Sequence, residues 1–243
     1  MNNFFKSIDK LFYLDYESST SDNIWLTKQN TLRELIGILG VLLPLLLWFF
    51  LWVDSGFIEV IPSISHYYYT RVCGILVIIV SLLAIFLIVY RGNKSQDFYI
   101  SSVAGISALL LLLFPTDNLS GISAGYYKFV TVTYLKANEF REAFHYISAA
   151  IFLLCLTWMS FFIFPSNKNT ESKNKIFIIC GIFMFTALLI IFVHFLGVIN
   201  DDFYDKYCLT FWMETIAIEA FGISWLVKGG IENIFLRKAS ERN

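Results

Sequence analysis

The chain has 243 residues and a formal net charge of −1, with 57% of residues hydrophobic and only 15% charged; its mean hydropathy is +0.66. A soluble domain carries about a quarter charged residues to wet its surface, so this composition excludes one and places the chain in lipid. The lack of a positive excess excludes a general nucleic-acid binder. Four cysteines and four prolines exclude a disulfide scaffold and a proline-rich linker protein.

Residues 1–34 form an N-terminal segment in which Phe4, Phe5, Ile8, Leu11 and Phe12 recur at helical spacing, with Lys6, Asp9 and Lys10 elsewhere on the wheel. That pattern fits a short helix lying in the membrane interface or packed on the ends of the spans. The apolar core of a secretory signal is absent before Leu35. A bilayer crossing needs about 17–25 mostly apolar helical residues. Six stretches qualify: Leu35–Val53, Val72–Tyr90, Phe98–Phe114, Phe144–Phe164, Ile176–Val198 and Phe211–Val227. The sixth is the most polar, since it contains Glu214 and Glu219. Backbone groups in lipid must pair internally, so each stretch reads as a helix. The expected architecture is an all-α, polytopic transmembrane bundle of about six spans over residues 35–227, followed by a short cytoplasmic tail, 228–243.

Lys and Arg counts orient the bundle. The N-terminal segment, the turn at Arg91, the loop at Lys173 and the tail together hold 13 of the 18 basic residues. Both termini are therefore expected in the cytoplasm. Helices in lipid approach closely through small residues. Ser101, Ala104, Gly105 and Ala108 give the third span a flat face expected of a central helix, and Gly37, Gly40 and Pro44 line one face of the first. His145, Ser148, Ala149 and Cys155 on the fourth span, and Thr215, Glu219 and Gly222 on the sixth, form polar or small faces expected to turn inward.

This orientation gathers the chemistry on the outer side. His66 falls in the first outer loop, His145 at the start of the fourth span and His194 near the end of the fifth; Glu214 lies in the outer part of the sixth, after Asp201, Asp202 and Asp205. His66, His145 and His194 with a carboxylate are the ligand types of a zinc hydrolase, but they lack the i, i+4 spacing that delivers two ligands from one helix. Their ordinary alternative is solvation or hydrogen bonding at the interface. Glu219, near mid-span, is too deep to reach water cheaply and is expected to face the bundle. Nine of the 13 tyrosines, among them Tyr67, Tyr68, Tyr69, Tyr126 and Tyr127, fall on the outer side. An ordinary aromatic belt populates both interfaces, so the excess points to an aromatic cap or shallow pocket. The long loop Pro115–Ala143 is placed to cover it, with 137–143 already belonging to the fourth helix. Cys155 and Cys180 lie within spans as packing residues; Cys73 and Cys208 lie near the outer boundary, where a disulfide is conceivable.

The run Pro62-Ser-Ile-Ser-His-Tyr-Tyr-Tyr-Thr70, then Tyr90-Arg-Gly92, Ala104-Gly105, Phe114-Pro-Thr116, Phe211-Trp-Met-Glu214 and Ala220-Phe-Gly-Ile-Ser-Trp-Leu-Val-Lys-Gly229, resembles a group of bacterial six-helix membrane proteins defined by sequence rather than activity. The resemblance runs from Gly37 to Gly229 and implies the fold and a bacterial inner-membrane location. It also matches His145 to a histidine opening the fourth span. Relatives carry an Arg-Asp pair where this chain has Cys73 and Gly74. Membrane hydrolases of the alkaline-ceramidase type compare only in helix count and histidine use; the two histidines one turn apart that they carry are missing here.

Three functions compete at this level. The first is a non-enzymatic bundle binding a membrane lipid or small hydrophobic ligand in an outward pocket, with His145 and Glu214 as anchors and Ser65, Tyr67 and Tyr68 beside them; it needs no cofactor. The second is an outer-leaflet hydrolase with zinc on His66, His145 and His194. The third is a homo-oligomeric pore or effector, lined or assembled through Glu219 and the small-residue faces, with Ser148 the other intramembrane polar residue.

Overall fold

The computed structural model describes residues 29–231, except 120, 121, 123–126 and 167. The N-terminal amphipathic pattern, Tyr126 and nearly all of the tail lie outside the described residues. The described chain is all-helical, with no β-strand; Thr70 and Thr131 form an isolated antiparallel bridge. The elements are α1 (Gln29–Ser55), a 3₁₀ turn (Ile64–Tyr69), α2 (Cys73–Val89), α3 (Ser95–Leu113), α4 (Glu139–Trp158) continued by a π turn (Met159–Ile163), α5 (Glu171–Phe195), α6 (Asp201–Lys206) and α7 (Leu209–Gly229).

Each of the six apolar stretches falls on one long helix, but several ends differ from the hydropathy boundaries. Helices α4 and α5 start five residues before their apolar runs, because capping rather than hydropathy starts a helix. The Asn138 side chain accepts from Arg141 N and the Thr170 hydroxyl from Lys173 N. Helix α5 stops before Val198 at Gly197, whose φ of 71° is the left-handed geometry that closes a helix end. The six-residue α6, capped by Asn200, has too short an apolar pattern to stand out in the sequence. Between α2 and α3 the Asp97 carboxylate accepts from Asn93 N at 2.7 Å and Lys94 N at 3.1 Å. Gly92, at φ 62°, lies so close to Asp97 that a Cβ there would sit 2.2 Å from that residue's own.

Helices α1 to α5 pack each against the next, and α7 closes the ring between α5 and α1. No described helix is central. The small face of α3 is instead the seam to α2: Ser101, Ala104 and Ala108 are fully buried, and a Cβ on Gly105 would lie 2.5 Å from the Ala84 carbonyl. A second close seam joins α1 to α7, where Gly37 and Gly222 face each other and a Cβ on either would lie 2.8 Å from the other's carbonyl oxygen.

The outside of the ring is apolar. Leu45, Phe49, Val53, Ile78, Ile85, Ile106, Leu113, Ile147, Leu154, Ile182 and Phe183 are all exposed, a display that a monomer in water does not carry. Four helices, Asn30–Ser55, Ser95–Leu113, Glu139–Ile163 and Glu171–Phe195, are long and apolar enough to cross a membrane. Cys73–Val89 is a shorter apolar helix, and α7 carries three charged side chains, Glu214, Glu219 and Lys228.

The two ends of the ring differ. At one, Trp225 is fully buried and meets Tyr90, Phe164 and Phe221 at ring centroid distances of 4.8, 5.2 and 6.0 Å. There Lys228 donates to the Phe164 carbonyl, and Arg33 lies over Tyr90. This end is plugged. The described parts of the connections 56–72, 114–138 and 196–208 gather at the opposite end, which holds His66, Asp117, His145 and Glu214.

Candidate functional site

The 3₁₀ turn is the keystone of the open end. Ser63 caps it, accepting from His66 N, and the turn is tied to α7 twice. Ile64 N donates to Glu214 Oε2 at 2.6 Å, and Phe211 N donates to the Pro62 carbonyl at 3.0 Å. Helix α7 starts at Cys208 in a left-handed conformation, φ 47°, which turns the chain from α6 into the ring. The connection after α3 folds back over the turn. Val132 N donates to Tyr69 O at 2.8 Å, the Tyr69 hydroxyl donates to Thr116 O, and Asn118 pairs with Leu135 through both its amide atoms. Arg141, on the first turn of α4, donates to the Pro115 carbonyl at 3.1 Å.

These ties border a partly open pocket of about 70 Å³ between the helices, room for several waters or a short length of hydrocarbon. Its walls come from α1 (Leu43), the turn (Ile64, Ser65, Tyr68), α2 (Leu76, Val80), α3 (Leu111, Leu112), α4 (His145, Ala149, Phe152, Leu153) and α7 (Glu214, Ile218), with Pro115. Four of the five side chains expected at a ligand site, Ser65, Tyr68, His145 and Glu214, therefore meet around one space, although they are up to 149 positions apart in sequence. Tyr67 does not line it. That ring is fully buried on the other side of the turn, 6.1 Å from Phe211, and burial pushes its hydroxyl pKa up.

His145 has a partner on each ring nitrogen. Nδ1 lies 2.8 Å from the Phe114 carbonyl and Nε2 lies 3.0 Å from Ser65 Oγ. A carbonyl can only accept, so Nδ1 carries a proton; in the neutral ring Nε2 is then the acceptor and the Ser65 hydroxyl the donor. The imidazole is buried, with 4% of its residue surface exposed, and its neighbour Ser148 donates back to Phe144 O in its own helix.

His66 belongs to a second cluster. Its Nδ1 lies 2.7 Å from Ser63 Oγ and its Nε2 3.4 Å from Asp117 Oδ1. Asp117 also accepts from Thr116 and Tyr146. The His66 ring, against the opposing effect of burial, holds the Asp117 carboxyl down at about 2. Asp117 was not among the residues expected to matter; the Phe114-Pro-Thr116 run that ends α3 was its only signal. His194 is in neither group: its ring stacks on Tyr204 at 3.5 Å and its Nε2 lies 3.2 Å from Asp201. Among the described residues no three His, Cys, Asp or Glu side chains come together as metal ligands.

The structure answers the open question of a disulfide and revises the placement of Glu219. All four cysteines are free; Cys208 is buried, its sulfur 3.7 Å from the Tyr127 hydroxyl, and Cys73 forms no bridge to it. Glu219 does not share the buried side of α7 with Thr215 and Gly222. It lies with Trp212, Ile216 and Ile223 at i−7, i−3 and i+4, all three exposed, and is itself half-buried. The stripe of one carboxyl among three apolar residues shows a period that small-residue spacing alone did not resolve. Compared with known proteins, the chain matches no family model, no curated protein and no solved structure.

Proposed function

We propose that the chain is a six-span protein of the bacterial inner membrane, with both termini cytoplasmic, that binds a membrane lipid or small hydrophobic molecule at its outer face. The observation that carries this reading is the cavity itself: an aliphatic chamber with Ser65, Tyr68, His145 and Glu214 on its wall. An apolar space with a few converging polar groups is the general form of a small-molecule site. The basic residues support the orientation, since by chain order 13 of the 18 fall in the N-terminal segment, at Arg91, at Lys173 and in the tail. With α2 and α7 counted as spans beside the four long apolar helices, the even number of crossings returns the chain to the side from which it starts. The aliphatic wall would take a chain end, and His145 and Glu214 would hold the polar group next to it.

The test is the small-molecule content of protein purified in mild detergent, extracted and identified by mass spectrometry, for wild type, His145→Ala and Glu214→Gln. A stoichiometric amphiphile in wild type that is depleted in both variants is the expected outcome. Equal content in all three overturns the reading.

A homo-oligomer is supported by a separate observation, the Glu219 stripe on the outside of α7. A charge facing lipid at mid-span costs at least about 2.5–3.5 kcal/mol, which a second copy covering the stripe would remove. Glu219→Leu should then change the mass of the detergent-solubilised particle measured by light scattering; an unchanged mass counts against assembly through this face.

A further inference from the structure

We propose that Ser65 and His145 form a nucleophile–base pair that transfers the acyl group of a carboxylic ester bound in the cavity. This deepens the ligand-binding reading and rests on it. A serine hydroxyl becomes a nucleophile when a histidine nitrogen within about 2.6–3.2 Å takes its proton and a third group fixes the ring. All three conditions are met. The Ser65 Oγ to His145 Nε2 distance is 3.0 Å, and the Phe114 carbonyl at 2.8 Å holds Nδ1–H, so the basic nitrogen faces the serine. The third group is a neutral carbonyl in place of the carboxylate of a Ser-His-Asp triad; it orients the ring without adding a charge to an apolar site.

The molecule contains its own comparison. Ser63 and His66 are also in contact, at 2.7 Å, but neither lines the cavity, and Ser63 accepts the His66 backbone N–H as the cap of the 3₁₀ turn. That pair is structural. Ser65 and His145 come from elements 80 positions apart, both line the cavity, and the helical periodicity of α4 alone would not bring them together. Glu214 is a positioning residue here, because its carboxylate holds Ile64 N, one residue before the nucleophile.

The chemistry balances without a further reactant except water. Ser65 Oγ bonds to the ester carbonyl carbon while its proton passes to His145 Nε2. The bond from carbon to the alkoxy oxygen breaks, and that oxygen leaves as the alcohol with the proton from Nε2. Water then attacks the acyl-Ser65 carbon, giving a proton to Nε2. The carbon–Oγ bond breaks, Ser65 recovers the proton, and a carboxylic acid departs. The aliphatic wall from α2, α3 and α4 suits the first carbons of the acyl chain next to the ester, whereas Ser65, His145 and Tyr68 sit at the ester itself. The substrate class is an acyl ester of a membrane amphiphile, with only its reacting end inside a space of about 70 Å³.

The full-length protein in detergent is treated with an alkyl fluorophosphonate, whose phosphorus would bond to Ser65 Oγ with loss of fluoride, and examined by intact and peptide mass spectrometry. One adduct on Ser65 is expected, absent in Ser65→Ala, retained in Ser63→Ala, and formed about 100-fold or more slowly in His145→Gln, as loss of a general base requires. No adduct on wild type that still carries its bound amphiphile overturns the acyl-transfer proposal and leaves the binding reading standing. An adduct on another residue, or equal rates in wild type and His145→Gln, also overturns it. Absence of both adduct and amphiphile refutes the two together.

Discussion

The Gly37–Gly222 contact gives the sharpest stability prediction, because its geometry sets both the direction and the coupling. An alanine Cβ at Gly37 would lie 2.8 Å from Gly222 O and 2.8 Å from Leu226 N; one at Gly222 would lie 2.8 Å from Gly37 O and 2.8 Å from Val41 N. Ordinary contact begins at 3.4 Å, so α1 and α7 must separate by about 0.6 Å at this crossing. All four of these atoms belong to helical backbone, which cannot rotate away as a side-chain end does. Overpacking of this kind costs about 1–3 kcal/mol, partly offset by the better helix propensity of alanine, up to about 1 kcal/mol. Gly74→Ala isolates that offset, since it lies in α2 with nothing within 4 Å of the added Cβ. Gly37→Ala and Gly222→Ala should each unfold at lower temperature than Gly74→Ala, by roughly 2–4 °C per kcal/mol for a chain of this size. One separation of the helices accommodates both methyl groups, so the double variant should lose less than the sum, by about 0.5–3 kcal/mol. The assay is thermal or SDS unfolding in mixed micelles followed by helical circular dichroism. Single variants as stable as Gly74→Ala, or costs that add in full, would refute the close backbone approach.

Three other outcomes follow from the open end of the ring. The His66 ring lowers the Asp117 carboxyl from 3.8 to about 2, and a group lowered on folding adds stability that is complete above its unfolded value and lost as pH falls through the folded one. The difference in midpoint between wild type and Asp117→Asn should therefore be constant above ~pH 5 and shrink toward pH 2; a difference that grows with acid contradicts the pairing. Asn118→Ala removes both bonds to Leu135, about 1 kcal/mol each, so trypsin should cut at Lys128 and Lys136 several-fold faster, as limited proteolysis would show. Alkylation in SDS without reductant should modify all four cysteines, and slow modification of Cys208 in the folded protein should follow from its buried thiol, whose pKa burial raises; three or fewer reactive thiols in SDS would indicate a bridge.

The six apolar helices were legible in the sequence because a sustained apolar run must pair its own backbone groups and so reads as a helix whatever it packs against; four of them are long and apolar enough to cross a membrane. The lopsided distribution of His, Tyr and acidic residues was equally legible, since chain order alone assigns each loop to an end. Helix boundaries were less so: Asn138, Thr170 and Gly197 set them through caps that hydropathy ignores. The role of each small face needed the tertiary structure. Gly37 and Gly222 meet each other, Gly105 meets Ala84, and Glu219 lies with Trp212 and Ile223 on the outside, all consequences of the ring in which α7 joins α5 to α1. The site was decided at that level too. Sequence supplied Ser65, Tyr68, His145 and Glu214 as separate candidates with His66 and Tyr67 equally plausible among them. The ties from Ile64 to Glu214 and from Phe211 to Pro62 rotate the 3₁₀ turn so that Ser65 and Tyr68 face the cavity, while Tyr67 points into the packing and His66 toward Asp117. A turn of six residues presents side chains in every direction, and only its hydrogen bonds to distant helices determine which of them share a space.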